Sequence, residues 1–163
     1  MTFILFISFL VFLRIEELML SKRNRKWLLE NDAIEYGSKH YPFIVALHVL
    51  FFLSLIFEYT AQQEHSFSLP LIIFYFLLLA FKIWIIASLG KFWNTRIYHI
   101  PNMPLIKRGP YKYFKHPNYL VVIAEIAVIP MIFHLYITGI VFTLLNLMML
   151  FVRIKEENKV LQI

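Results

Sequence analysis

The sequence predicts an all-α integral membrane protein with about five transmembrane helices, forming a single membrane domain over residues 1–163. Three observations predict it. Of the 163 residues, 60% are hydrophobic and 16% are charged, whereas soluble domains are nearer half apolar and about a quarter charged. The apolar residues gather in runs near the ~20 residues that carry a helix across hydrocarbon. The Lys and Arg residues fall in alternate connections, as the positive-inside rule requires.

The first run is Thr2 to Leu20, with Arg14, Glu16 and Glu17 near its end. Met1 to Leu13 lacks the basic start and small-residue cleavage site of a signal peptide, so it reads as a retained helix. Ser21 to Tyr36 reads as a separate amphipathic cytoplasmic helix, with Trp27, Leu28 and Leu29 as interface anchors. The second span runs from Pro42 to Tyr59 and the third from Leu69 to Leu89. The fourth, Tyr119 to His134, and the fifth, Tyr136 to Val152, have almost no connection between them and predict a helical hairpin. Pro130 is expected to kink or shorten the fourth helix.

The basic residues orient these spans. Arg14 to Tyr41 carries Arg14, Lys22, Arg23, Arg25, Lys26 and Lys39, and Lys91 to Asn118 carries Lys91, Arg96, Lys107, Arg108, Lys112 and Lys115. The tail adds Arg153, Lys155 and Lys159, while Thr60 to Ser68 and the turn at His134 carry no Lys or Arg. The expected topology is multi-pass, with the N-terminus outside, the C-terminus cytoplasmic and two large cytoplasmic loops. The net charge of +6 then reflects membrane orientation and not a nucleic-acid partner. Residues 1–90 hold the N-terminal spans and the amphipathic segment; residues 91–163 hold the residues with chemistry.

Absences narrow that chemistry. With no cysteine, disulfides, thiolate metal sites and cysteine nucleophiles are excluded. No His-Glu-x-x-His helix, Gly-rich phosphate loop or Gly-x-Ser-x-Gly elbow occurs, so no metal site is expected. Four glycines leave no Rossmann fingerprint.

The densest polar segment is Gly109-Pro-Tyr-Lys-Tyr-Phe-Lys-His-Pro-Asn-Tyr119, between two long apolar runs. Polar groups and irregular backbone at a membrane edge must find partners in protein, water or ligand. Tyr111, Tyr113, Phe114 and Tyr119 fit an aromatic belt, and equally fit a wall that stacks on a base or wraps a cation. His116 alone would read as a polar anchor; with Pro117, Asn118 and the tyrosines it reads as part of a ligand site. Arg153 and Glu157 are four apart, on one face of a helix. Their plain reading is an exposed ion pair of little worth. Facing the His116 segment, they become an anion holder and a hydrogen-bond acceptor. Glu125 and Lys82 lie within spans, where charges by default mark function, against the simpler reading of a pair that locks the bundle. His48 and Glu58 are weaker candidates of the same kind.

Taken together, Leu105-Ile106, Gly109-Pro-Tyr111, Tyr113 to Tyr119, the hairpin, and Arg153 to Glu157 resemble the isoprenylcysteine carboxyl methyltransferase family over about the last 70 residues. That family uses S-adenosyl-L-methionine without a Rossmann domain. The resemblance implies that Met103, Pro104, Leu105, Ile106, Tyr111, His116, Pro117, Asn118 and Tyr119 line the cofactor pocket with Glu157, and that the cytosolic loop, hairpin and tail build it. It implies that Arg153 contacts the acceptor group of the substrate; on chemical grounds Arg153 and His116 are the expected catalytic residues, with Glu125 beside Arg153 on the substrate side. Leu120-Val121-Val122 departs from the small residue that many members carry there. In the N-terminal half, Arg14-Ile-Glu-Glu-Leu18, Ser21-Lys-Arg-Asn24, Trp27 and His40-Tyr41 resemble a small bacterial branch associated with type III polyketide synthases. That branch implies a bacterial cytoplasmic membrane and O-methylation of an alkylpyrone or alkylresorcinol.

The expected activity is O-methyl transfer to a lipophilic acceptor that enters between helices. Arg153 would stabilise the acceptor oxyanion, and His116, His99 or Glu125 would take a proton from a hydroxyl acceptor. A prenylcysteine-type carboxyl acceptor is one alternative. Membrane sterol reductases, which share a similar Gly-x-Tyr and His-Pro-x-Tyr segment and use NADPH, are another. A non-enzymatic lipid-binding protein, with basic loops on anionic lipid, is the third.

Overall fold

The computed structural model describes residues 1–161. Helix α1 spans Thr2–Glu30 without a break. The expected boundary between a span near Leu20 and a separate amphipathic helix is therefore absent. No Gly or Pro lies in this stretch, so nothing interrupts its hydrogen-bond ladder. The helix stops at Asn31, whose Nδ2 donates to the Trp27 carbonyl at 2.8 Å. Beyond it Asp32 turns to positive φ. The end of the expected amphipathic helix is instead a short strand, β1, at Ile34–Tyr36.

Helix α2 covers Tyr41–Ala61 and α3 covers Leu69–Leu89, each with a proline in its first turn, where a missing N–H costs nothing. A second strand, β2, at Ile97–His99 pairs antiparallel with β1, setting Ile34 opposite His99 and Tyr36 opposite Ile97. Helix α4 runs over Pro117–Ile132 and α5 over Tyr136–Leu161. The hairpin between α4 and α5 is present, and α4 ends two residues after Pro130. The expected Arg153–Glu157 tail continues α5 as helix.

Among the described residues, three helical segments are long and apolar enough to cross a membrane: Ser38–Ala61, Leu69–Phe92 and Tyr136–Val160. Helix α4 has 16 residues, about 24 Å at ~1.5 Å per residue, short of the ~30 Å hydrocarbon layer. Helix α1 has the length, but Arg14, Glu16 and Glu17 interrupt its apolar stretch. Among the described residues the protein is thus a helical membrane protein with five α-helices, three of them both long and apolar enough to cross.

The core lies where the five helices meet, α3 contributing Tyr75. Phe3 stacks on Tyr59 with 3.7 Å between ring centroids, and its edge meets Phe133 at 5.0 Å. Leu55, Ile132 and Leu135 are fully buried around them. Phe57, Leu77, Met148 and Phe151 point outward and exposed, as lipid-facing residues do. Against lipid, burial from water does not hold helices together; close packing and polar contacts do.

A four-charge cluster joins α1, α3 and α4 inside the bundle. Arg14 donates to Glu17 at 2.7 Å and to Glu125 at 3.2 Å. Lys82 bonds Glu125 at 3.0 Å and pairs with Glu17. The Lys82–Glu125 pair, the simpler of the two readings of these charges, is present, enlarged by two residues from α1. Glu58 is structural as well. Its carboxylate accepts the Ile137 and Thr138 amides at 3.0 and 2.7 Å, capping α5. His48 bonds the Ile44 carbonyl one turn back, at 2.8 Å.

Candidate active site

The site hangs on the connection between α3 and α4, and α1 holds that connection in place. Asn24 donates to the carbonyls of Gly90 and Trp93, at 3.1 and 2.8 Å. The Ser21 hydroxyl meets Asn94 Oδ1 at 3.0 Å and Thr95 Oγ1 at 2.8 Å, and Asn94 Nδ2 donates back to the Ser21 carbonyl at 2.9 Å. The Thr95 carbonyl then accepts Arg153 Nη2 at 2.5 Å. The N-terminal helix thereby sets the position of an arginine more than a hundred residues away.

Further along, Glu35 on β1 accepts Arg96 at 2.6 Å and the Tyr98 hydroxyl at 2.7 Å. Burial disfavours its charge, but the bonds from Tyr98 and Arg96 and the Arg96 charge outweigh that and hold the Glu35 carboxyl below the usual range. Burial, with the same hydrogen bond, pushes the Tyr98 phenol up. The strand pair is thus pinned by ionic bonds as well as by its ladder. The glycine of Gly-x-Tyr has a steric reason: Gly109 sits at φ +52°, and a Cβ there would run into the Ser88 side chain. The loop can therefore fold back on the end of α3 and turn Tyr111 inward. Burial, with Glu157 nearby, raises the Tyr111 phenol, so it stays protonated.

The result is a cleft of about 360 Å³. Met103, Pro104, Leu105, Ile106, Tyr111, His116, Asn118, Tyr119, Arg153 and Glu157 all border it. Two expected residues do not. Pro117 is buried as the first residue of α4 and acts through the backbone. Glu125 is 2% exposed, held by Lys82 and Arg14, and away from the cleft wall; its carboxylate serves the bundle.

At the inner wall, Arg153 and Glu157 do not pair directly. The Tyr119 hydroxyl sits between them, accepting Arg153 Nε at 2.9 Å and donating to Glu157. His116 Nε2 bonds Asn158 Oδ1 at 2.9 Å, its Nδ1 lies 3.7 Å from Glu157, and its ring stacks on Tyr119. The bridging tyrosine shows why an isolated ion pair at this spacing was an incomplete expectation.

A second cavity, of about 310 Å³, lies behind this wall between α1, α2 and α5. Its sides include Ile15, Leu18, Val45, Phe52, Met149 and Leu150. Trp93, Asn118, Tyr119 and Arg153 border both spaces. Among the described residues, three buried side-chain polar atoms lack a partner: Trp93 Nε1, Asn118 Oδ1 and Asn146 Nδ2. All three residues border the second cavity.

Sequence reasoning missed Ser21 and Asn24 as clamps, and missed Trp93, Thr95 and Asn146 at the cavities. Asn146 had a signal: an amide in the middle of an apolar run. Thr95 holds Arg153 through its backbone carbonyl, which no side-chain pattern reveals.

The sequence profile of the isoprenylcysteine carboxyl methyltransferase (ICMT) family matches residues 71–163. Apart from Leu28, every residue bordering the first cleft falls in that stretch. The chain is 41% identical over 162 residues to the uncharacterized protein YpbQ of Bacillus subtilis (strain 168), covering 98% of this chain and 96% of that one. It is 29% identical over 153 residues to an uncharacterized protein of Haemophilus influenzae, covering 90% and 87%. No solved structure matches it.

Proposed function

The chain belongs to the isoprenylcysteine carboxyl methyltransferase family, and from that premise we propose that it transfers a methyl group from S-adenosylmethionine to an acidic oxygen of a lipophilic acceptor. The family is one of S-adenosylmethionine-dependent methyltransferases. One observation supports the site most: a polar, aromatic cleft and an apolar cavity share a wall at Arg153, Tyr119, Asn118 and Trp93. Donor and acceptor need separate spaces that meet at one point.

The residues of the cleft fit the cofactor. Asn118 Oδ1 is buried without a partner and would accept from the amino-acid ammonium or an adenine N–H. Glu157 would accept from a ribose hydroxyl or that ammonium. Tyr111, Tyr113 and Phe114 border the cleft and would stack on the base. When bound, S-adenosylmethionine supplies an electrophilic methyl group on sulfur.

The protein supplies placement and charge. Arg153, fixed by Thr95 and Tyr119, presents a guanidinium where the cavities meet and stabilises the anionic oxygen of the acceptor. The buried Trp93 and Tyr119 side chains border both spaces, and alignment of the reacting atoms can supply roughly 7–11 kcal/mol of the barrier. His116 borders the cleft beside Tyr119 and would take the proton of a hydroxyl acceptor; Glu125 borders neither the cleft nor the second cavity and does not fill this role.

For the acceptor we propose a polyketide-derived alkylpyrone or phenolic lipid, with a functional link to a type III polyketide synthase. The family's description supports a second reading, the carboxylate of a prenylcysteine, and Arg153 suits either oxygen. In the membrane we propose a multi-pass arrangement with the N-terminus outside and the C-terminus and cleft on the cytoplasmic side.

Calorimetry of the detergent-solubilised protein with S-adenosylmethionine and with NADPH tests the cofactor. Incubation with methyl-labelled S-adenosylmethionine and alkylpyrones, alkylresorcinols or prenylcysteines, followed by mass analysis, tests the acceptor. Saturable binding of S-adenosylmethionine alone and a labelled lipid product are expected. Binding of NADPH in its place would overturn the reading.

A further inference from the structure

The second cavity has mostly apolar walls, with His48 and the mutually bonded Arg14, Glu17 and Lys82 also on its border, yet the chain keeps other hydrogen-bonding atoms there without protein partners. Asn146 is 3% exposed and Trp93 also 3%, and Asn146 Nδ2 and Trp93 Nε1 are both unbonded donors. An unbonded buried donor is a net loss to folding unless something binds it. Asn146 lies seven residues before Arg153 on α5. Seven residues are about two turns, so both residues share one face, with Cα atoms roughly 10 Å apart along the axis. One face of one helix thus carries a guanidinium at the junction and an amide deeper in the hydrocarbon.

We propose that Asn146, with the Trp93 ring N–H nearer the junction as a further donor, selects the acceptor by donating to a second oxygen of its head group. The reacting oxygen lies at Arg153, and the second, a ring carbonyl or hydroxyl, lies deeper beside Asn146. The ligand class is a lipid whose ring bears two separated oxygen functions. A plain prenyl or alkyl chain would leave both donors bare. This inference rests on the methyltransferase reading and adds to it which acceptors are chosen.

The test compares two probes of equal chain length, a 5-alkylresorcinol with two ring oxygens and a 3-alkylphenol with one, using the full chain in detergent. Rates are read as kcat/KM with S-adenosylmethionine. Binding is read separately, without cofactor, as the ligand-induced rise in Tm. The wild type should favour the resorcinol about tenfold, the effect of one neutral hydrogen bond. Asn146→Leu, which keeps the branched shape of Asn and removes its donor, should bring that preference to about one in both readouts. Its own Tm should match or exceed the wild type's. Trp93→Phe, which removes the ring N–H and keeps an aromatic ring, should reduce the preference in the same direction and serves if the leucine variant does not fold. If both variants keep the wild-type preference, the contact point is refuted while the methyltransferase reading stands. If the wild type methylates neither probe nor any prenylcysteine, the functional reading falls and the selection proposal with it.

Discussion

Two charged clusters lie at different depths in this molecule, and they are built on opposite plans. Arg14, Glu17, Lys82 and Glu125 form a closed set: two cations, two carboxylates, each bonded within the set. Arg153, Tyr119 and Glu157 form an open one. Their cleft brings Arg96, Lys107, Lys112, Lys115 and Arg153 near a single carboxylate, Glu157, and unbonded polar atoms remain at its inner wall. A buried charge with every valence filled holds helices together. Arg14, Glu17 and Lys82 also border the second cavity, but their bonds are spent on one another and on Glu125; a charge beside unbonded polar atoms is positioned for something that comes and goes. The comparison separates a membrane charge that marks function from one that fastens the bundle, although both are rare in apolar segments.

Breaking the closed cluster should have the largest effect on stability. Lys82→Met leaves two buried carboxylates facing one arginine and should cost roughly 3–5 kcal/mol, read as a fall in Tm in detergent. Adding Glu125→Leu restores neutrality and should recover most of the loss. A single variant as stable as wild type would show that the cluster is not fastening anything.

The open cluster should respond the other way. Arg153→Ala should lower kcat by about 10²–10³, or roughly 3–4 kcal/mol at the transition state, with cofactor affinity and Tm changing far less. Should kcat stay at the wild-type level, Arg153 has no part in the chemistry. Glu157→Gln keeps the shape of the side chain and removes its charge. It should weaken S-adenosylmethionine binding by about 10–100-fold, the range for hydrogen bonds to a charged group, and calorimetry would show this directly.

The smallest effect belongs to the strand pair. Glu35 has a depressed pKa in the folded protein, so its contribution is present above the ordinary carboxylate value of about 4.3 and fades as pH falls through the folded value. Glu35→Gln should cost up to about 1 kcal/mol at neutral pH. Its Tm deficit should shrink toward zero as the buffer is taken below about pH 4. A deficit independent of pH would place the loss in packing.

Much of the site could be read from residue types alone. Gly109, Tyr111, His116 to Tyr119, Arg153 and Glu157 are concentrated chemistry at a membrane edge, and a small set of chemistries needs such a segment. Pro117, part of the same run, works through the helix start and not the cleft wall. The span count was harder to read. Hydropathy cannot tell a crossing helix from one whose charged end, like that of α1, carries on past the apolar layer as an uninterrupted helix. The strand pair was missed because three residues on each side give no alternation long enough to notice. The pairing of Ser21 and Asn24 with Gly90 to Thr95 joins segments some seventy residues apart, largely through backbone carbonyls, and single-residue patterns carry no information about such contacts. Glu125 shows the opposite failure: its sequence signal was correct, since the charge matters, but a carboxylate inside a helix does not reveal whether its partner is protein or ligand.

Helix α5 runs from Tyr136 to Leu161 without interruption. Asn146, Arg153 and Glu157 are therefore graduations on one rigid scale, at fixed height and fixed azimuth. Inserting or deleting one residue between positions 147 and 152 would swing everything beyond it by about 100°. Arg153 would then point away from the junction of the two spaces, in a protein that could still pack its bundle. Length changes are tolerated in most loops, but in this stretch of helix the allowed number is zero.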